Sequence, residues 1–216
     1  MLGTADADAA SKTLFNTVAA ARRALGVTAD GLPLLPPATR SGHYCVAPAV
    51  TVDADRCVAL VEAGRAAHEP VERIALLQSA LAEVDGEPLG GVLTGYGWWR
   101  AEGHERRLAD AVVDGASALV RAALTGGHVD LGRWALEKAR LVEPYSETLT
   151  RAGMALAAAA GDAHRLRLEW ETCLRQVDEL DPGGAPSEAT ERLYDRLRRH
   201  LRGTTPTEEP APALRA

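Results

Sequence analysis

Apolar positions recur along most of the chain at the three- and four-residue spacing of amphipathic helices, in blocks separated by glycine and proline. Leu14, Val18, Ala21 and Leu25 share one face of a helix over residues 11–25, which stops at Gly26. A Pro/Gly-rich stretch over residues 31–37 follows, and Ser41-Gly42 then marks a turn beside the best strand-forming residues of the chain. That pattern predicts a short β-hairpin. From Asp53 onward helix follows helix. Asp53 caps a segment carrying Cys57, Leu60, Val61 and Gly64, and Pro70 sits at a first-turn position ahead of Ile74, Leu77 and Leu81, so the two form an αα-hairpin. Trp98-Trp99 opens a long helix through Leu108, Val112, Ala116, Leu119 and Leu124, ended by Gly126-Gly127. Four more helices follow, marked by Leu131 and Trp134, by Leu149 and Leu156, by Leu166 and Trp170, and by Leu193, Leu197 and Leu201. The whole predicts a mainly α fold, with about seven helices between positions 53 and 202 joined by short loops as stacked helical hairpins.

Composition strengthens the helical reading. Of the 216 residues 41 are alanine and 28 leucine, against one isoleucine (Ile74) and one phenylalanine (Phe15). Helix formers dominate, and β-branched and aromatic strand formers are scarce. With 46% hydrophobic and 25% charged residues, disordered, collagen-like and disulfide-dense classes are excluded. No run approaches the roughly 18 apolar residues of a membrane span, and the start has neither a positive leader nor an apolar core, so a cytoplasmic protein is expected. Cys45, Cys57 and Cys173 are odd in number and form no CxxC pair, which fits reduced thiols. Residues 204–216, with three prolines and few apolar groups, read as a disordered tail.

Motifs of chemistry are missing. The six histidines are scattered outside metal-binding spacing, and no nucleophile elbow, phosphate loop or dinucleotide fingerprint occurs. The glycine-rich run from Gly90 to Gly97 is followed by Trp98 where a phosphate loop needs lysine, so it reads as a flexible connection. No catalytic residue, metal or cofactor is expected. Trp98 and Trp99 are the candidate interaction residues: one anchors the loop, while the other lines a groove for a peptide or partner helix. Simple core anchoring of both is the plainer alternative. Arg192, Arg196 and Arg199 form a stripe opposite Leu193, Leu197 and Leu201, which reads as a solvated face.

The run from Trp134 to Pro144, followed at once by another helix, reads like a junction between tetratricopeptide (TPR) units. In the same array lie Val52-Asp53, Gly86-Glu-Pro-Leu, Glu105-Arg-Arg-Leu108, Glu143-Pro-Tyr-Ser-Glu147 and the run from Pro186 to Leu197. Their order and spacing resemble the bacterial transcriptional activator domain (BTAD) of the antibiotic regulatory protein (SARP) family over residues 53–200. The resemblance implies a TPR-like helical domain at 53–203, preceded at 1–52 by the C-terminal half of a response-regulator-type winged helix. Residues 14–26 are similar to that family's recognition helix, and Thr39-Arg-Ser-Gly-His-Tyr44 to its wing hairpin. By the same resemblance Lys12, Asn16 and Arg23 face a DNA groove, with Arg40 and His43 near a backbone phosphate. The leading sheet and first helix of a winged helix have no counterpart in the chain, so either a longer protein supplies them or the DNA-binding half is vestigial.

Charge sorts by segment. The chain carries net −6, of which residues 1–52 contribute +1, residues 53–203 contribute −6 and residues 204–216 contribute −1. The helical array is therefore no phosphate-binding surface as a whole. Two functions are expected: a non-catalytic regulatory module that positions a DNA-binding winged helix through protein contacts, or a protein-interaction module that does not bind DNA. Oligomeric state is left open.

Overall fold

The computed structural model describes residues 4–90 and 94–204, with side chains described from Lys12 to Gly203. Two compact units result, Met1–Val52 and Asp53–Ala216. Among the described residues the protein is mainly helical and forms no strand. Of the disordered tail expected at 204–216, Thr204 instead ends the last helix, and 205–216, like the middle of the glycine-rich loop at 91–93, lie outside the described residues.

The first unit holds helix α1 (Thr4–Leu25) and a returning loop. Gly26, at φ 76°, ends the helix in a conformation that side chains resist. The loop then runs back over the last turn: Leu34 donates its amide to the Gly26 carbonyl (3.0 Å), and Val27 and Pro33 form one isolated antiparallel bridge. Leu35 is buried beneath it. The β-hairpin expected around Ser41-Gly42 is not formed. A single turn stands there, closed by the Thr39 amide donating to the His43 carbonyl (2.8 Å), with Gly42 at φ 81°. Two features account for the difference. Pro36, Pro37 and Pro48 flank the turn without amide protons for a ladder. The His43 amide donates to Thr39 Oγ1 (3.2 Å), a local side-chain partner in place of a cross-strand carbonyl.

The second unit contains α2 (Asp53–Ala66), α3 (Pro70–Ala82), α4 (Gly97–Ala101), α5 (His104–Gly126), α6 (Val129–Arg140), α7 (Glu147–Ala159), α8 (Ala163–Leu180) and α9 (Glu188–Thr204). Neighbours in sequence pack as pairs, α2 on α3, α5 on α6 and α7 on α8. The pairs meet through α5, which touches α2, α3, α6 and α7, and through α7, which also receives α9. Eight described helices thus stand where about seven were expected. The extra one is α4: Trp98 and Trp99 occupy a short helix of their own, because Gly103 at φ 77° breaks the path into α5.

The core runs through the pairs. Leu77, Leu81, Val112, Leu119, Leu136, Leu149 and Leu156 are buried in one cluster, and Met154, Ala157, Leu166 and Leu201 in a second beneath α9. Glycines let helices approach: a Cβ on Gly115 would lie 2.7 Å from Val61 Cγ2, and one on Gly132 would lie 2.5 Å from Leu156 Cδ2. Either alanine substitution would force a buried neighbour to move.

A cross-helix cap fixes α9. Ser187 donates its amide to both oxygens of Glu147 (3.1 Å each), and the hydroxyls of Ser187 and Thr190 donate to Glu147 Oε2. The first turn of α9 is thereby satisfied by a carboxylate from α7. Burial alone would raise the Glu147 carboxyl, but the bonds from Ser187 and Thr190, with Arg151 nearby, outweigh it and hold it below its ordinary value. A depressed carboxyl stabilises the fold above its ordinary value of 4.5 and loses that contribution as pH falls through the lowered one. Glu147→Gln should therefore be less stable than the parent at neutral pH, and the gap should close in acid. Melting curves from neutral pH down to about pH 3 test this. A gap that persists undiminished would assign the loss to packing instead.

Candidate functional site

On α1, Lys12, Asn16 and Arg23 fall within about 40° of one another around the helix and are all exposed. The stripe is separate from the side that meets the loop. Arg22, one position before Arg23, turns the other way: its Nε donates to the Leu35 carbonyl (2.7 Å) and its Nη2 to the Pro36 carbonyl (3.1 Å). That arginine holds the loop on the helix. Arg23 donates Nε to the Ala19 carbonyl of its own helix (3.3 Å), which leaves the rest of its guanidinium outward. Arg40 and His43 are exposed in the Thr39 turn, where His43 Nδ1 meets Ser41 Oγ at 3.3 Å. No hydrogen bond or ion pair among the described residues joins this turn to the α1 stripe. The stripe is thus one set and the turn another.

Trp98 and Trp99 are brought together by His104. Its ring lies 6.1 Å from Trp98, edge-on at 79°, and 6.0 Å from Trp99 at 32°, while its Nε2 is 3.0 Å from Glu102 Oε2. Sequence reasoning missed His104 because its neighbours on α5 gave it no partner; the partner is the preceding short helix. Trp98 is 53% exposed. Trp99 is half-buried and lines a cavity of about 450 Å³ whose rim carries Asp53, Glu83, Asp85 and Glu87. Arg56 pairs with Glu83 (3.1 Å) and Lys138 reaches Asp85 (3.5 Å), so part of that charge is balanced. Cys57, at the base, is pushed up to about 11 by burial, with Glu83 and Asp53 adding to the rise. Such a thiol stays protonated and is a packing group rather than a nucleophile. The two tryptophans therefore divide: one packs beside the cavity and the other faces solvent.

The strongest buried polar contact lies elsewhere. Glu169 on α8 is 6% exposed and is held by Arg140 Nη2 (2.5 Å) on α6 and by Arg165 Nε (3.4 Å) one turn away. Gly153 makes room for it, since a Cβ there would sit 2.8 Å from the Glu169 carboxyl carbon. Gly153 interrupts an alanine-rich run, and the sequence alone names no partner for it. Among the described residues no group of three or more His, Cys, Asp or Glu side chains is placed to hold a metal, and no helix is long and apolar enough to cross a membrane.

Compared with protein-family models, with curated proteins and with solved structures, the chain finds no significant match in any of the three.

Proposed function

We propose that the chain is the non-catalytic regulatory part of a transcriptional regulator of the SARP/BTAD kind. Its TPR-like helical unit makes protein contacts, and the first unit brings the α1 stripe to DNA in a cytoplasmic setting. The observation that carries this reading is the sorting of α1: Lys12, Asn16 and Arg23 share one exposed face, while Arg22, the remaining base of the helix, is spent on the loop. A helix that presents bases and an amide on one face suits a groove, where cations neutralise phosphates and asparagine reads base edges. Paired helices joined by short loops suit the protein-contact half, because such arrays offer extended surfaces.

A second reading has its own support. The wing hairpin is not formed and the Asp53–Ala216 unit is acidic, which favours a protein-interaction module that never meets DNA. Titration of the chain against labelled duplex DNA at low and moderate ionic strength separates the two. Binding that weakens steeply with salt supports the regulator; no salt-dependent binding at either strength leaves the interaction module.

A further inference from the structure

The last two helices form a groove of about 500 Å³. Its floor is a stacked pair, Trp170 of α8 against Tyr194 of α9, with ring centroids 4.7 Å apart and planes at 8°. Leu174, 41% exposed, continues the apolar strip along α8. Arg167, Arg198 and Arg202 stand around it. Arg167 already has Glu171 at 3.7 Å and His164 Nδ1 at 3.0 Å, but among the described residues neither the Arg198 nor the Arg202 guanidinium enters a hydrogen bond or ion pair. Between positions 196 and 202 α9 carries four arginines and no carboxylate, in a unit whose net charge is negative. An apolar strip beside free guanidinium groups is the arrangement of an interface core with a charged rim.

We propose that this α8–α9 groove is a docking site for an acidic, amphipathic segment of a partner protein. An apolar side chain of the segment lies on Trp170 and Leu174, and its carboxylates pair with Arg198 and Arg202. Charge complementarity selects this occupant. A nucleic acid would carry its phosphates along a unit of net negative charge and leave the exposed Leu174 uncovered, whereas a short amphipathic segment covers Leu174 and needs only the two arginines. Carboxylate pairing with arginine is favoured by the planar, forked geometry of guanidinium. The inference rests on the protein-contact half of the proposed function and names the surface that makes the contact.

The test uses the full chain and two fluorescein-labelled synthetic peptides, one alternating Glu with Leu at helical spacing and one with Lys in place of every Glu. Fluorescence anisotropy should show saturable binding of the acidic peptide, weakened by salt, and none of the lysine peptide. Arg198→Glu with Arg202→Glu should weaken it by about tenfold or more, and so should Leu174→Asp, an exposed position whose change leaves the helical circular dichroism intact. The proposal is overturned if the acidic peptide does not bind, if both peptides bind alike, or if these substitutions leave binding unchanged. Direct binding of labelled duplex DNA that is lost in the Arg198→Glu, Arg202→Glu chain, with the acidic peptide not binding the parent, would also overturn it, in favour of a nucleic-acid surface. The peptide readout needs no DNA, so failure of α1 to bind DNA leaves this outcome independent.

Discussion

Leu119→Ala should cost about 3 kcal/mol of unfolding free energy, the middle of the range for removing a fully buried leucine. Leu119 is fully buried in the main core cluster on α5, the helix that touches α2, α3, α6 and α7. A close-packed core of this kind relaxes only in part into the space a missing side chain leaves. In a unit of this size the loss corresponds to a fall in melting temperature of roughly 6–12 °C. Urea unfolding followed by helical circular dichroism measures it. A cost below about 1 kcal/mol would mean that α5 is not the packing centre.

Glu169→Ala is expected to cost about 2–3 kcal/mol, below the full value for breaking a buried ion pair because Arg140 keeps partial access to water. The carboxylate is the more buried partner, and its removal leaves the Arg140 guanidinium without its acceptor on α8 and empties the space beside Gly153. Glu169→Gln, which keeps the shape and one acceptor, should cost less. Gly153 supplies the cross-check. Alone, Gly153→Ala drives a Cβ against the Glu169 carboxyl group; in a Glu169→Ala background the same substitution has room. The two changes should therefore cost less together than the sum of their separate costs, and strict additivity would contradict the contact.

The elements legible in the sequence are those whose side chains pack by period. Leu108, Val112, Ala116 and Leu119 mark α5, and Leu166 and Trp170 mark α8, which Asp162 caps by accepting from the Arg165 amide at 2.8 Å. What periodicity cannot show is a local conformation decided by one residue. Gly103 at φ 77° cuts α4 from α5 although Trp98 and Trp99 fit the same helical pattern. The hairpin failed for a similar reason: strand-forming residues around Ser41-Gly42 are outweighed by flanking prolines and by the Thr39 hydroxyl. The candidate sites divide in the same way. The resemblance picks out Lys12, Asn16 and Arg23 on α1, and the helical period puts them on one face, whereas the burial of Glu169 and the approach of His104 to two tryptophans depend on which helices meet. The lone Gly153 in the alanine-rich α7 is the visible signal for a close approach there, but the sequence does not name Glu169 as what approaches.

The salt dependence of DNA binding tests the central claim most directly. For the parent chain, the logarithm of the association constant should fall linearly with the logarithm of salt concentration, by about 0.9 per phosphate neutralised. In a Lys12→Ala, Arg23→Ala chain that slope should flatten by about two such increments, with helical content unchanged. A slope that is the same in both chains, or no binding by the parent at low salt, would contradict the DNA-facing role of α1.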